Sequence, residues 1–214
     1  MRALVCKAFG APENLVIEER EDPSPGPGEV LVRAHAAGVN FPDILMVQGL
    51  YQEKPQLPFI PGGEVAGTVE AVGENVSRYS AGDRVVAMPM GGAFAERVVA
   101  HEKLCMPMPD RLDFEQGAAF TVAYATSFHA FRQGACLQSA ETVLVMGAAG
   151  GVGSSAVEIA RSTGAKVIAA VSSEKKAAFV RELGADHVIN YEQEPLRDRL
   201  REITADKGVD VVYD

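Results

Sequence analysis

The segment Gly147–Ser155, with the sequence GAAGGVGSS, limits the possible folds of this chain more than any other part of it. It follows an apolar run, Thr142–Met146, that is typical of a strand, and it leads into Val152–Thr163, which is typical of a helix. A glycine-rich turn between a strand and a helix can receive a pyrophosphate, because the backbone is unobstructed and the helix N–H groups point towards the ligand. We therefore expect a dinucleotide-binding βαβ unit that begins near Glu141.

This turn matches the dinucleotide fingerprint GxGxxG except at its first position, where Ala148 replaces glycine. Ala148 is expected to fit a tight turn, Gly150 to let the backbone approach the pyrophosphate, and Gly153 to let the helix pack close to the strand. The N–H groups of the first helical turn, which includes Gly151 and Val152, are expected to face the phosphates.

Two other interpretations of the turn compete with this one. A P-loop needs a Lys before its Ser or Thr to meet the β and γ phosphates of a nucleotide, and no Lys precedes Ser154 or Ser155. The other alternative is a glycine-rich connection with a purely structural role. The position of the turn inside a βαβ unit favours dinucleotide binding over both.

Strands and helices alternate along the second half of the chain, which predicts a parallel sheet of the α/β class. A helix over Phe114–Phe131 opens this half. The strands and helices that follow are predicted in the order Thr142–Met146, Val152–Thr163, Lys166–Val171, Glu174–Leu183, His187–Asn190, Pro195–Thr204 and Val209–Tyr213. A doubly wound sheet has about six strands, so we expect this one to be truncated after its fourth strand, at Asp214.

The first half of the chain is instead divided by Pro and Gly into short β-branched runs, which predicts a mostly-β, barrel-like domain. Its strands are predicted at Leu4–Lys7, Leu15–Glu18, Val30–Ala36, Glu64–Val72, Arg84–Ala87 and Phe94–Ala100. Turns are predicted at Pro23–Gly28, Pro61–Gly63, Ala81–Asp83 and Gly91–Gly92. We therefore predict two domains, residues 1–112 and residues 113–214.

Charge and cysteine content exclude several classes of partner. The net charge of −9 argues against nucleic acid and acidic membranes, because phosphate contacts need clustered Lys and Arg. The first ten residues lack the features of a signal peptide, and no apolar run approaches the ~20 residues that span a bilayer. Cys6, Cys105 and Cys136 are widely spaced without a CxxC pair, which suits reduced thiols. These features predict a cytoplasmic protein.

The end of the second predicted strand of the βαβ unit indicates which dinucleotide is bound. An NAD-binding enzyme would place Asp or Glu there to accept a hydrogen bond from the ribose 2′-hydroxyl, and residues 169–173 contain no carboxylate. Ser172 can donate a hydrogen bond and Lys175 or Lys176 can supply positive charge, as a 2′-phosphate requires. We therefore expect NADPH, with Ser172 and Lys176 in the site.

A structural interpretation of the same residues stays open beside the functional one. Ser173 is a good N-cap for the following helix, and the two lysines could then lie in solvent. Glu174 would repel a phosphate if its carboxylate faced the site. The capping role and the phosphate-binding role are compatible with each other.

Several motifs in one order extend the interpretation to the whole chain. They are GVNFPD (Gly38–Asp43), PGGEVAGTVEAVG (Pro61–Gly73), AGDRV (Ala81–Val85), GAFAE (Gly92–Glu96), GAAGGVG (Gly147–Gly153) and GADHVINY (Gly184–Tyr191). On these motifs the chain resembles the zinc-free NADPH:quinone oxidoreductase (zeta-crystallin-like) branch of the medium-chain dehydrogenases/reductases. The resemblance implies a GroES-like domain followed by a Rossmann domain, an active site in the cleft between them, and further sequence that completes both.

The resemblance also implies that the chain holds no metal. Zinc-dependent relatives carry Cys where this chain has Asn40 and His where it has Gly63. A catalytic zinc needs three protein ligands, and Glu64 alone cannot hold it. No pair among the four histidines shows the spacing of metal ligands.

Candidate site residues follow from the resemblance as well. Asn40 and Tyr51 fall at active-site positions, where their amide and phenol could hydrogen-bond a carbonyl oxygen. For each residue the alternative role is structural, a turn-forming side chain for Asn40 and a packed loop aromatic for Tyr51. Thr126 matches a stretch on the nicotinamide side of the site, and Tyr191 matches a position near the cofactor, with packing as the alternative.

The expected activity is hydride transfer from NADPH to a quinone, since an electron-poor acceptor needs no Lewis acid. The alternatives are an NADPH-dependent reductase of enones or 2-alkenals, a zinc-independent alcohol dehydrogenase, and an NADPH-binding sensor with little turnover. The resemblance also implies a homodimer for the full-length protein.

Overall fold

Two units, which divide between Thr121 and Val122, make up the computed structural model, and it describes residues 1–214. The first unit is mostly β-structure, as predicted. Its strands are β1 Arg2–Val5, β2 Val16–Glu19, β3 Glu29–Ala37, β4 Val65–Val72, β5 Arg84–Ala87, β6 Arg97–His101 and β7 Cys105–Pro107. Its complete helices are α1 Phe41–Val47 and α2 Phe114–Ala118.

An antiparallel sheet of five strands, in the order β6-β3-β4-β5-β7, forms the body of the first unit, and β1 and β2 pair as a separate ribbon. Valines that alternate along the strands supply one face of the sheet with a common core, because successive strand residues point to opposite faces. The core valines are Val30, Val32, Val65, Val69, Val85 and Val98.

Two elements of the first unit were not predicted from the sequence. Helix α1 begins after Asn40, whose N–H donates to the Asp43 carboxylate at 2.8 Å in a capping box. The helix has only seven residues and lies between two strands, β3 and β4. Strand β7 lies at the edge of the sheet, where a proline can be accommodated because no ladder hydrogen bond is lost.

The second unit contains a four-stranded parallel sheet in the order β10-β9-β8-β11. The strands are β8 Thr142–Val145, β9 Lys166–Val171, β10 His187–Asn190 and β11 Val211–Tyr213. The helices are α3 Thr121–His129, α4 Gly151–Thr163, α5 Glu174–Glu182 and α6 Leu196–Thr204. Residues of α4 and α5 pack on one face of the sheet, and residues of α6 pack on the other. The doubly wound, Rossmann-like arrangement is therefore confirmed.

The prediction of one helix over Phe114–Phe131 is wrong. The segment forms α2, then α3, and then a π-helical turn at Ala130–Gly134. Helix α2 packs against β3 and β4 of the first unit, where Gly117 leaves room for the sulfur of Met108. Periodicity could not reveal this break, because the two parts belong to different units.

The three cysteines lie in different environments. Cys6 and Cys105 are buried, and Cys136 is exposed. Burial raises the pKa of the Cys105 thiol to about 11 and also raises the pKa of the Cys6 thiol. No helix of the chain has both the length and the apolar character that crossing a membrane requires.

Candidate functional site

The glycine turn between β8 and α4 depends on a left-handed residue that the fingerprint comparison did not single out. Gly147 has a φ of 55°, a backbone conformation that glycine adopts at little cost. Ala148, expected to take the tight turn, instead lies fully buried, and its N–H donates to the carbonyl of Ala170 at 3.2 Å. Ala148 therefore anchors the turn to β9, while Gly147 provides the change of direction.

Gly153 is the position of the turn that tolerates no side chain. A Cβ atom there would lie 2.4 Å from the carbonyl oxygen of Gly147 and 2.8 Å from the Cα of Ala148. Gly151 has no neighbour within 4 Å of such an atom, and Gly150 has one at 3.3 Å. Helix α4 therefore packs closely against the turn at Gly153, whereas the space beside Gly150 and Gly151 is open. A ligand can reach the N–H groups of the first helical turn from this open side.

A pocket of about 190 Å³ lies beside this turn. Its lining residues come from the glycine turn, the end of β9, the first turn of α5 and the residue after β10: Gly147, Ala149, Gly150, Val171, Ser172, Lys176 and Tyr191. None of them carries a carboxylate. Parallel strands direct their carboxyl ends to one edge of the sheet, which is where open α/β sheets bind ligands.

Ser172 and Lys176 form the polar wall of this pocket. The ammonium of Lys176 donates to the hydroxyl of Ser172 at 2.8 Å. Ser173 accepts from the N–H of Lys176 at 3.3 Å and so caps α5, as the structural interpretation expected. Capping by Ser173 leaves Ser172 and Lys176 at the pocket, and Lys175 does not line it.

A cluster of three hydroxyls, those of buried Ser127 and Ser155 and of half-buried Tyr213, lies behind the start of α4 and was not predicted from the sequence. Ser127 of α3 is fully buried, and its hydroxyl lies 2.8 Å from the hydroxyl of Ser155 and 2.9 Å from that of Tyr213. The hydroxyls of Ser127 and Ser155 also donate to the carbonyl of Val152, at 3.0 Å and 2.8 Å. The first turn of α4 is therefore fixed to α3 and to β11. No sequence pattern distinguished these two serines from the other polar residues of α3 and α4.

Other polar residues of α3 are engaged within the same unit. The phenol of Tyr124 donates to the Glu158 carboxylate, and this hydrogen bond raises the pKa of Tyr124 to about 12. Thr126 is exposed, and its hydroxyl donates to the carbonyl of Val122 at 2.6 Å. Thr126 does not line the pocket beside the glycine turn.

In the first unit, Asn40 belongs to a cluster with two buried carboxyl groups. Its side-chain amide donates to Oε2 of Glu64 at 3.2 Å, and Glu64 is 1% exposed. Burial raises the pKa of Asp43, and the hydrogen bond from the N–H of Asn40 opposes this shift. Gly38 makes room for the cluster, since a Cβ there would lie 2.7 Å from Oε2 of Glu64. Because one amide hydrogen binds Glu64, the second hydrogen can still be donated to a ligand.

Tyr51 follows the end of α1 in the same unit. Its N–H donates to the carbonyl of Leu45 at 3.2 Å, and the residue is half-buried. Phe59 packs against the ring of Phe9 with centroids 6.3 Å apart. Asn40 and Tyr51 thus flank one short helix, and each keeps a hydrogen-bonding side chain.

Comparison with known proteins identifies the family. The pattern described as an alcohol dehydrogenase GroES-like domain matches residues 26–110, and the pattern described as a zinc-binding dehydrogenase matches residues 151–214. The quinone oxidoreductase of Homo sapiens is 38% identical over 218 residues, which cover 100% of this chain and 66% of the relative. The chain belongs to the medium-chain dehydrogenase/reductase family.

Solved structures of other family members are closely similar. A probable oxidoreductase from Mycobacterium abscessus has a TM-score of 0.93 and 42% identity, with 99% of this chain and 68% of that chain covered. The quinone oxidoreductase of Escherichia coli, solved in complex with NADPH, has a TM-score of 0.95 and 37% identity, with 100% of this chain and 66% of that chain covered. The GroES-like and Rossmann-like parts expected from the motifs are confirmed.

This member of the medium-chain dehydrogenases/reductases differs from zinc-dependent members at the expected ligand positions. Asn40 and Gly63 occupy them; an asparagine amide is not a usual zinc ligand, and glycine has no side chain. No group of three or more His, Cys, Asp and Glu side chains is arranged to hold a metal ion. The amide of Asn40 and the phenol of Tyr51 can supply hydrogen-bond donors to a substrate.

Proposed function

We propose that this chain forms most of an NADPH-dependent quinone oxidoreductase, which reduces a quinone without a metal ion. A hydride and a proton convert the quinone to the hydroquinone, and the cofactor leaves as NADP⁺. Because the chain spans 66% of the length of its human relative, the proposal concerns the whole protein to which these residues belong. The names and the NADPH complex of similar proteins support it.

One observation carries the choice of cofactor, the Ser172–Lys176 pair in a pocket without carboxylates. A 2′-phosphate requires positive charge and hydrogen-bond donors, and both are present at the end of β9. An NAD site would instead need a carboxylate there to accept from the ribose hydroxyl. This chemistry favours NADPH over NADH.

The proposed contacts of the cofactor use main chain at the glycine turn and side chains at its edge. Gly151, Val152 and Gly153 supply N–H groups to the pyrophosphate. Gly150, whose own N–H donates to the carbonyl of Gly147 at 2.8 Å, lets the main chain approach the phosphates, and Ala148 holds the turn against β9. Tyr191, which lines the same pocket, packs against the cofactor. We assign Thr126 to the nicotinamide side on family resemblance alone.

Asn40 and Tyr51 are proposed to bind the acceptor. When bound, NADPH supplies the hydride, and the chain has to stabilise negative charge on the acceptor oxygen. The amide of Asn40, held by Glu64, and the phenol of Tyr51 can both donate to that oxygen. A phenol can donate a hydrogen bond to that oxygen without transferring its proton.

Cofactor titration tests the first half of this proposal. We expect NADPH to bind at least about tenfold more tightly than NADH, since a charged hydrogen bond contributes about 1.5–3 kcal/mol. Lys176→Ala should remove most of this preference, and Ser172→Asp should shift it towards NADH. Lys175→Ala is the matched control: Lys175 does not line the pocket, so NADPH affinity should stay within about twofold of that of the unmodified protein. Equal affinities for the two cofactors in the unmodified protein would contradict the proposal.

Turnover tests the second half. NADPH oxidation should be measured separately with a benzoquinone, an enone and an aldehyde, and the benzoquinone should react fastest. Faster reaction with the enone would instead support an NADPH-dependent enone reductase. Binding of NADPH without consumption in any mixture would instead support a sensor.

The proposal extends to the assembly and the location of the protein. Family resemblance supports a homodimer, which light scattering on the full-length protein would test. The use of NADPH and the three free cysteines support a cytoplasmic location, which fractionation of cells would test.

A further inference from the structure

A carboxylate lies next to the proposed phosphate site without lining it. Glu174 is the acidic residue in the first turn of α5, two positions from both Ser172 and Lys176. Its side chain is exposed, so its rotamers are not fixed by packing. A carboxylate that close to a bound 2′-phosphate would oppose binding, since like charges repel.

Contacts with two other residues hold the Glu174 carboxylate. Its Oε1 accepts from the side-chain amide of Asn190 at 3.2 Å, and its Oε2 lies 4.0 Å from the guanidinium of Arg181. The contact with Arg181 joins two exposed groups and is at the limit of an ion pair, so it contributes little. Asn190 is the stronger restraint.

Asn190 is well placed to act as this restraint. It ends β10, is 5% exposed, and immediately precedes Tyr191 of the pocket. Its side-chain oxygen accepts from the N–H of Glu192 at 3.3 Å, which directs the NH₂ group of the amide towards Glu174. The amide is therefore fixed in the orientation that can donate to a carboxylate.

We propose that Asn190 is a positioning residue that determines cofactor specificity. By binding Glu174 it keeps a negative charge away from the Ser172–Lys176 pair, and the pocket then accepts the 2′-phosphate of NADPH. This inference rests on the proposed use of NADPH. It assigns Asn190, the last residue of β10, a role in cofactor selection in addition to its role in the sheet.

A double-mutant cycle on the purified protein tests the inference. The unmodified protein, Asn190→Ala, Glu174→Gln and the double variant are each titrated with NADPH and with NADH. We expect Asn190→Ala to weaken NADPH binding about three- to tenfold and NADH binding less than about twofold, because only NADPH carries the charge that a released Glu174 repels. In the Glu174→Gln background the same substitution should change NADPH affinity less than about twofold.

Two further measurements separate positioning from a structural role. The loss caused by Asn190→Ala should shrink at high salt, since ions screen the repulsion. Glu182→Gln is the matched control for Glu174→Gln, since it removes the same charge about 12 Å away at the other end of α5. It should leave the ratio of NADPH affinity to NADH affinity unchanged. If Asn190→Ala does not fold, Asn190→Ser in both backgrounds provides the same comparison.

The possible outcomes distinguish this inference from the proposed function. An equal loss of NADPH and NADH affinity in Asn190→Ala, or a loss that persists with Glu174→Gln, overturns the role of Asn190. Absence of any NADPH preference in the unmodified protein overturns the proposed function itself. A preference that is lost in Asn190→Ala and restored in the double variant supports both.

Discussion

The glycine turn of the second unit and the Asn40–Glu64 cluster of the first unit present their polar groups in different ways. At the turn the proposed ligands are N–H groups of the main chain, and the residues matter because they are small. In the cluster the proposed donor is a side-chain amide that is held by a carboxylate 24 residues away. A change of size should therefore damage the turn, whereas a change of charge or hydrogen bonding should damage the cluster.

Gly153→Val should have the largest effect and tests the turn directly. The new side chain would enter space within 2.4 Å of the Gly147 carbonyl, so the turn must move. We expect the free energy of unfolding to fall by about 3 kcal/mol, at the upper end of the usual cost of overpacking. NADPH affinity should fall at least about tenfold in the fraction that folds, because a displaced turn loses hydrogen bonds to the pyrophosphate.

Thermal unfolding and cofactor titration measure these two effects. Gly151→Ala is the control for folding, because no atom lies within 4 Å of the added methyl group. It should unfold at the same temperature or higher, since alanine favours the helix by up to about 1 kcal/mol. Equal stabilities for the two variants would show that the close approach at Gly153 does not limit the turn.

Ser127→Ala should have the next largest effect, because it removes the central hydroxyl behind α4. Ser155 and Tyr213 each lose a partner in a buried setting, which costs about 1–3 kcal/mol. NADPH affinity should fall about threefold as the first turn of α4 loosens. Ser162→Ala, on the exposed side of α4, should change stability by less than about 0.5 kcal/mol.

Glu64→Gln tests the cluster of the first unit. The substitution keeps the volume and an oxygen acceptor, so the free energy of unfolding should change by about 1 kcal/mol. Quinone reduction should fall because a glutamine can turn its NH₂ group towards Asn40 and release the amide. NADPH affinity should stay within about twofold, since the pocket lies in the other unit. A weakened NADPH affinity in this variant would show that the Asn40–Glu64 cluster and the glycine turn do not act independently.

Asp43→Asn should have the smallest effect, and its sign depends on pH. Burial raises the pKa of Asp43 in the folded protein, so the folded state binds the proton more tightly than the unfolded state. Wild-type stability relative to the variant should therefore fall as pH rises from the ordinary carboxyl value through the raised one. The change should be less than about 1 kcal/mol between acidic and neutral pH, as measured by denaturant unfolding at each pH. A difference that is constant with pH would contradict this assignment.

The sequence predicted those features that depend on neighbouring residues along the chain. The bounds of β5, β9 and β10 are the same as predicted, because apolar runs and turn residues delimit them. Among the residues that line the pocket, Gly150, Ser172 and Lys176 were candidates because the turn and the Ser172–Lys176 spacing are local. Tyr191 was a candidate from family resemblance. Three other lining residues were not named as site residues: Gly147, Ala149 and Val171.

Features that depend on distant partners could not be predicted. Ser127 meets Tyr213 across 86 residues, and Asn190 meets Glu174 across 16 residues, through the arrangement of strands in the sheet. The break after α2 depends on packing in the first unit, which periodicity does not record. Helix α1 is different, because its capping residues Asn40 and Asp43 are a local signal that the sequence interpretation did not use. The proposed roles of Asn40, Tyr51 and Thr126 came from family resemblance and stay predictions.

The unequal burial of the three cysteines predicts that they differ in reactivity towards thiol reagents. A thiol that is buried with a raised pKa reacts slowly with alkylating reagents, and both Cys6 and Cys105 meet this description. Cys136 alone is exposed, on the loop that leads into β8. A maleimide dye should therefore attach at one position of the native chain, and its fluorescence could report cofactor titrations without any engineered cysteine.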